Sequence, residues 1–297
     1  MRTIYKLIAC SLLALYATSC VEDVLEKEQY QKEIYLIGAY DRVWTTTVEY
    51  SEEEVRTYFT VSSSGSLGLD QDVRVKVNIN EELVDIYNRK YWTVLNEDKY
   101  YKSLDTDLYS IPSLDNIVIK HEEGISAEVP IFIQTKDLSI DRSYVIPVEI
   151  ESTTAYPVNE SGRKMLILLK LRNAYSGNYQ MDGYMTEAGG SPRRIQKAKE
   201  LVPTGMNKVR IFYAMNNKSD EQDEINAKTL ELTILDENVA GSDDTKKVSI
   251  KAWDEGSLTV IDSGESSYNT VSRKFNLKYT VGNISYEEGL LREKVME

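Results

Sequence analysis

The sequence predicts an all-β protein of two domains, an immunoglobulin-like β-sandwich followed by a second antiparallel unit, either an up-and-down barrel or another sandwich. Three observations predict it. Apolar and polar residues alternate along most of the chain. Tyrosine, a strand former with an apolar body and a polar tip, outnumbers phenylalanine 21 to 4. A cluster of turn-forming residues at Asn173 to Gly177 separates two sets of strands. The reading divides the chain at 33–172 and 173–297.

In the first unit, Ile34, Leu36, Gly38 and Tyr40 alternate with polar or smaller neighbours, and Trp44, Thr46, Val48 and Tyr50 continue the parity. Val55, Thr57, Phe59 and Val61 form the next run, ended by Ser62-Ser63-Ser64-Gly65. Val73, Val75, Val77 and Ile79 alternate with Asp72, Arg74, Lys76 and Asn78, the clearest half-buried strand in the chain. Glu81 to Lys90 instead has a helical rhythm, with Leu83, Val84, Ile86 and Tyr87 on one side. An irregular, tyrosine-rich stretch follows through Tyr91-Trp92, Tyr100-Tyr101 and Tyr109. Strands return at 116–120, 127–134, 144–151 and 165–172. The second unit opens at Gly177 and continues with strands at 209–215, 229–235, 247–253, 258–262 and 274–281. Asp254-Glu255-Gly256-Ser257 reads as the hairpin between two of these.

The first 32 residues read as an address. Arg2 and Lys6 precede an apolar run from Leu7 to Ala17, long enough for a signal-peptide core and too short to span a bilayer. Ala17-Thr18-Ser19-Cys20 follows, a loose lipobox, so residues 1–19 are expected to be a lipoprotein signal peptide. Lipidation is expected on Cys20, with residues 20–32 as a polar tether. Val21-Glu22-Asp23 resembles the signal that sends Bacteroidota lipoproteins to the outer face of the outer membrane. Cys10 leaves with the signal peptide, so the mature chain is expected to hold together without a disulfide.

Charge narrows the partners. The chain carries 35 basic and 48 acidic residues; without Arg2 and Lys6 the balance is 33 against 48, a net charge of −15. That argues against nucleic acid and against an electrostatic grip on anionic lipid. No catalytic group stands out. The single histidine, His121, lies in Lys120-His121-Glu122-Glu123 and reads as a solvated loop residue. Asp236-Glu237-Asn238 with Gly241 lacks the acidic twelfth ligand of a calcium loop, where Lys247 stands instead. Gly189-Gly190-Ser191 has no following Lys-Ser/Thr to make a phosphate loop. The reading is therefore non-enzymatic, with no cofactor and no metal.

Several motifs carry a resemblance. Val84-Asp85 and Tyr87-Asn88 precede Tyr100, then Tyr109-Ser110-Ile111-Pro112, Ile117 with Gly124, and Tyr144-Val145-Ile146-Pro147-Val148. This order resembles the domain-of-unknown-function family 1735, an immunoglobulin-like sandwich of Bacteroidota lipoproteins; Val94-Leu95-Asn96 replaces that family's usual Leu-Pro. The second unit resembles family 4361, a lipocalin-like barrel, at Tyr175-Ser176-Gly177-Asn178-Tyr179, at Phe275-Asn276-Leu277-Lys278-Tyr279 and at Leu291-Arg292. The resemblance implies a surface glycan-binding accessory protein of the polysaccharide-utilisation type, working beside an outer-membrane glycan transporter. Some relatives join the first domain to a family 18 glycosidase, whose Asp-x-x-Asp-x-Asp-x-Glu run is absent here. A structural or adhesive lipoprotein contacting other proteins is the alternative.

Sugar recognition needs flat rings for the C–H face of a pyranose and polar side chains for its hydroxyl rim. Four residues are the candidates. Trp253 shares parity with Ser249 and Lys251 rather than Val248 and Ile250, so it is expected to point out of the barrel, either as a platform or as a plug between the domains. Trp92, Tyr91 and Tyr101 lie in or beside the irregular tyrosine-rich stretch.

Overall fold

The computed structural model describes residues 27–293. The expected signal peptide, Cys20 and most of the expected tether lie outside the described residues. The first domain contains β1 (Ile34–Leu36), β2 (Val43–Glu49), β3 (Val55–Ser63), β4 (Val73–Ile79), helix α1 (Glu82–Tyr91), β5 (Tyr101–Ser103), β6 (Tyr109–Ser110), β7 (Ile117–Ile119), β8 (Ser126–Ile133), β9 (Ser143–Thr153) and β10 (Lys164–Arg172). They form two sheets. One has the order β1-β3-β8-β6; the other runs β2-β10-β9-β4-β7, with β5 beside the start of β9. β2 runs parallel to β10, whereas β9 is antiparallel to both β10 and β4.

Alternation places one face of each sheet in a shared core. Phe59 and Val61 from β3 and Val129, Ile131 and Ile133 from β8 meet Val73, Val75, Ile146, Val148 and Ile167 from the opposite sheet. Burying each such side chain contributes about 1.5–3 kcal/mol before conformational entropy is counted. The first alternating run is interrupted. Gly38 takes a left-handed φ of +89°, and a turn swings the chain from one sheet to the other before β2. A Cβ at Gly38 would sit 2.8 Å from the Trp44 ring, so both the φ and the close approach require glycine there.

α1 lies on the outer face of the six-stranded sheet. Val84 packs with Val145 and Leu166, flanked by Leu83, Tyr87 and Tyr101. Ile86, expected on the same apolar side, is exposed instead, because the buried stripe follows 83, 84, 87 and 88. Asp85 and Glu82 in the first turn and Arg89 and Lys90 in the last complement the helix dipole.

The second domain contains β11 (Gly177–Glu187), β12 (Arg193–Gly205), β13 (Lys208–Phe212), helix α2 (Gln222–Lys228), β14 (Thr229–Asn238), β15 (Thr245–Ala252), β16 (Val260–Asp262), β17 (Ser267–Asn269), β18 (Lys274–Val281) and β19 (Ile284–Arg292). Eight of these strands close into an antiparallel barrel, because β18 pairs with both β17 and β19. The fold is all-β, as the alternation predicts. The expected hairpin at Asp254 to Ser257 does not form: β16 pairs with β18, and β15 pairs with β17. Three barrel strands escape the sequence reading, β12, β17 and most of β19.

The barrel interior is apolar toward one end, with Tyr179, Phe275, Leu277 and Leu290. Toward the other it holds charge. Lys199 and Glu288 are both almost fully buried. The Lys199 ammonium donates to the Phe212 carbonyl, while Glu288 accepts from the Tyr279 hydroxyl at 2.8 Å and the Ala214 N–H at 3.0 Å. Burial pushes the Lys199 ammonium down to about 8 and the Glu288 carboxyl up.

The domains are fastened at two points. Buried Asn173 donates from Nδ2 to the Gly205 and Lys208 carbonyls, and its Oδ1 accepts from the Tyr175 and Ser176 N–H groups. Arg210 of β13 reaches across to Asp141 of the first domain at 2.7 Å.

Candidate functional site

The four expected site residues divide into two places. Tyr91 and Tyr101 come together on the first domain through a residue not expected there, Tyr87. The Tyr87 and Tyr101 rings stack at 5.0 Å with an interplanar angle of 11°, and Tyr87 meets Tyr91 at 4.5 Å. The result is a ladder of three rings rising from the sheet to the surface. Tyr87 and Tyr91 are four residues apart, so one helix face carries both. That spacing is a signal the sequence offers.

The ladder has a fixed base. Asn88, 4% exposed, donates from Nδ2 to the Tyr101 carbonyl and accepts from the Tyr101 N–H, both at 2.9 Å. The side-chain amide thus satisfies the backbone of Tyr101 as a neighbouring strand would. Burial and the adjacent Tyr101 push the Tyr87 hydroxyl up to about 12, so that ring stays neutral.

The top of the ladder is open. Tyr91 is 50% exposed, and the Lys90 ammonium lies 5.0 Å from its ring centroid. In the segment that follows, Val94 and Leu95 are 76% and 90% exposed, and Ile86 on another side of α1 is exposed as well. Large apolar side chains left out of the core are candidates for a contact surface. Trp92 caps the helix and is half-buried rather than presented to solvent. Its indole N–H is buried with no hydrogen-bond partner among the described residues. What this end of the helix offers is one accessible ring with a cation beside it, which suits a shallow, weak contact with a flat apolar face.

Trp253 lies elsewhere. It follows the end of β15 on the outer side of the barrel, as the parity requires, but its ring is covered. The Arg210 guanidinium sits 4.6 Å from the ring centroid, and the same guanidinium holds Asp141 across the domain junction. Of the two expectations for Trp253, platform or plug, this arrangement matches the plug.

His121 donates from Nδ1 to Asp72 Oδ1 at 2.7 Å, on an exposed loop. That bond raises the histidine above its ordinary value. Among the described residues, no group of three or more histidine, cysteine or acidic side chains is placed to hold a metal ion.

Comparison with known proteins also finds two units. A family model described as an N-terminal domain matches residues 30–157, and one described as a C-terminal domain matches residues 163–293. The curated proteins include no match. Among solved structures, a Bacteroides ovatus protein of unknown function aligns with a TM-score of 0.60 at 16% identity, over 88% of this chain and 94% of its own. A multidomain Bacteroides ovatus protein including DUF1735 gives 0.56 at 16% identity, over 84% and 90%. A Bacteroides thetaiotaomicron auxiliary nutrient binding protein gives 0.58 at 12% identity, over 85% and 91%. The chain is thus a two-domain protein of the kind found in Bacteroidota. At these identities the likeness is one of fold.

Proposed function

We propose that the protein is a non-catalytic glycan-binding lipoprotein whose receptor face is the tyrosine ladder of the first domain. The observation that carries this is the exposed Tyr91 ring, held at the top of a stack whose base, Tyr101, is locked by Asn88. A pyranose face can lie on that ring while Lys90 swings aside to hydrogen-bond the hydroxyl rim. The fold shared with the auxiliary nutrient binding protein of Bacteroides thetaiotaomicron supports the same reading. In this account a lipid on Cys20 anchors the chain to the outer membrane, facing outward. The protein captures polysaccharide or oligosaccharide there for an outer-membrane transporter.

Calorimetric titration of the soluble domains against a broad panel of neutral and acidic oligosaccharides tests the proposal. Saturable binding of at least one member is expected, and a panel with no saturable signal sinks the reading. A second reading has its own observation. Val94 and Leu95 are aliphatic and more exposed than a sugar contact needs, which favours a protein partner in an adhesive role. Leu95→Asp separates the two: it abolishes a protein contact and leaves saccharide affinity within about twofold of wild type.

A further inference from the structure

The junction between the domains holds a second feature, chemically unlike the tyrosine ladder. Beneath the linker lies a cleft of about 350 Å³, walled by Glu49 and Arg172 from the first domain and by Tyr175, Tyr268, Arg273 and Arg292 from the linker and barrel. Three arginines converge on one small opening in a chain whose net charge is −13. Glu49 is the only acid among its lining residues, and it pairs with Arg172 at 3.1 Å. The cleft is therefore locally cationic.

The three guanidinium groups are not equivalent. Arg292 is spent on the linker: Nη1 and Nη2 donate to the Ala174 and Ser176 carbonyls at 2.8 and 2.7 Å. Arg172 is held by Glu49. Arg273 has no ion pair among the described residues and is exposed at the rim. Its backbone lies in the left-handed region, with φ of +52°, a conformation that costs a non-glycine residue free energy and that most turns of this kind assign to glycine or asparagine. Its side chain lines the cleft. Within the cleft, Tyr175 meets Tyr268 in a T-shaped contact at 5.1 Å, and the half-buried Tyr175 lines the opening.

We infer that this cleft binds the acidic group of a saccharide, a carboxylate or sulfate ester, with Arg273 as the charge that recognises it and Tyr175 as the wall against which the sugar ring lies. A planar anion matches the fork of a guanidinium, and a site at a domain junction is concave enough to shield it. The inference rests on the glycan-binding reading and narrows it to acidic glycans. Because residues of both domains line the cleft, an occupied site also ties the domains together.

Arg273→Asn is the test variant, since asparagine tolerates the left-handed backbone. Affinities are measured for a uronate oligosaccharide, a sulfated one, a neutral one of equal length, and free inorganic sulfate. The expected result is that wild type binds one acidic oligosaccharide about tenfold more tightly than the neutral one, that raising salt from 50 to 500 mM removes the difference, and that Arg273→Asn removes it at low salt. Which acidic arm responds identifies the group. Equal affinity for acidic and neutral chains, unchanged in Arg273→Asn, overturns the inference and leaves the glycan-binding reading intact. Inorganic sulfate binding as tightly as the oligosaccharides overturns it in favour of a simple anion site. Absence of binding by every saccharide overturns both.

Discussion

The tyrosine ladder and Trp253 both stand on the outer faces of sheets, and their fates are opposite. Tyr91 tops a stack that ends in solvent, whereas Trp253 is roofed by Arg210 and closed off by Asp141 of the other domain. Strand parity identifies which side chains leave the core. It does not say whether a second domain will cover them. An outward aromatic is a binding candidate only where no domain contact claims it, and here the contact claims the tryptophan and spares the tyrosines.

That contrast yields consequences that can be ranked. The largest effect is expected in the barrel interior, away from either surface. Lys199→Met removes the cation nearest Glu288 and costs about 3 kcal/mol by chemical denaturation. The pH dependence carries a signature. The depressed Lys199 contributes stability that is present above its unfolded value of 10.5 and is lost as pH falls through about 8. Glu288, raised in the fold, behaves oppositely: its contribution is present at acid pH and is lost as pH rises through its folded value. Wild type should therefore gain stability relative to Lys199→Met between about pH 8 and 10.5. A flat difference across that window contradicts the assignment.

Next in size is the roofed tryptophan. Trp253→Ala loses ring burial and the guanidinium stack, about 2 kcal/mol of stability, and loosens the domain junction without changing saccharide affinity. Asn88→Ala follows: the Tyr101 backbone loses two hydrogen bonds, about 1–2 kcal/mol, and the ladder loses its base, so stability and affinity fall together. The smallest effect is electrostatic. His121 is the sole histidine, so one NMR titration curve reports it. Its midpoint lies above 6.5 in wild type and returns toward that value in Asp72→Asn.

Much of the fold is legible in the sequence because hydrophobic burial obeys strand parity. β4 shows it best, with every other side chain from Val73 to Val77 in the core. β12 and β19 hide because the same parity there carries charge. Ile195, Lys197, Lys199 and Leu201 share one face of β12, and Tyr286, Glu288 and Leu290 share one face of β19. Lysine and glutamate at inward positions erase the alternation; the barrel gives Lys199 a backbone carbonyl and Glu288 Oε1 a hydroxyl and an N–H, while Glu288 Oε2 has no hydrogen-bond partner among the described residues. The site was legible in part. Tyr91 and Tyr101 stand out by residue type, but Tyr87 reads as helix core, and only the stacking of β5 on α1 reveals that it joins them. The Arg210–Asp141 bridge spans 69 residues of sequence and two domains. No local pattern encodes it.

The central claim is that the neutral sugar face is bound by the open aromatic cluster and not by the roofed one. Affinity for a neutral saccharide measured side by side for wild type, Tyr91→Ala and Trp253→Ala tests it most directly. The account predicts at least a tenfold loss for Tyr91→Ala, with a stability change under about 0.5 kcal/mol, and full affinity for Trp253→Ala at temperatures where it stays folded. Full affinity in Tyr91→Ala, together with its loss in folded Trp253→Ala, would contradict it.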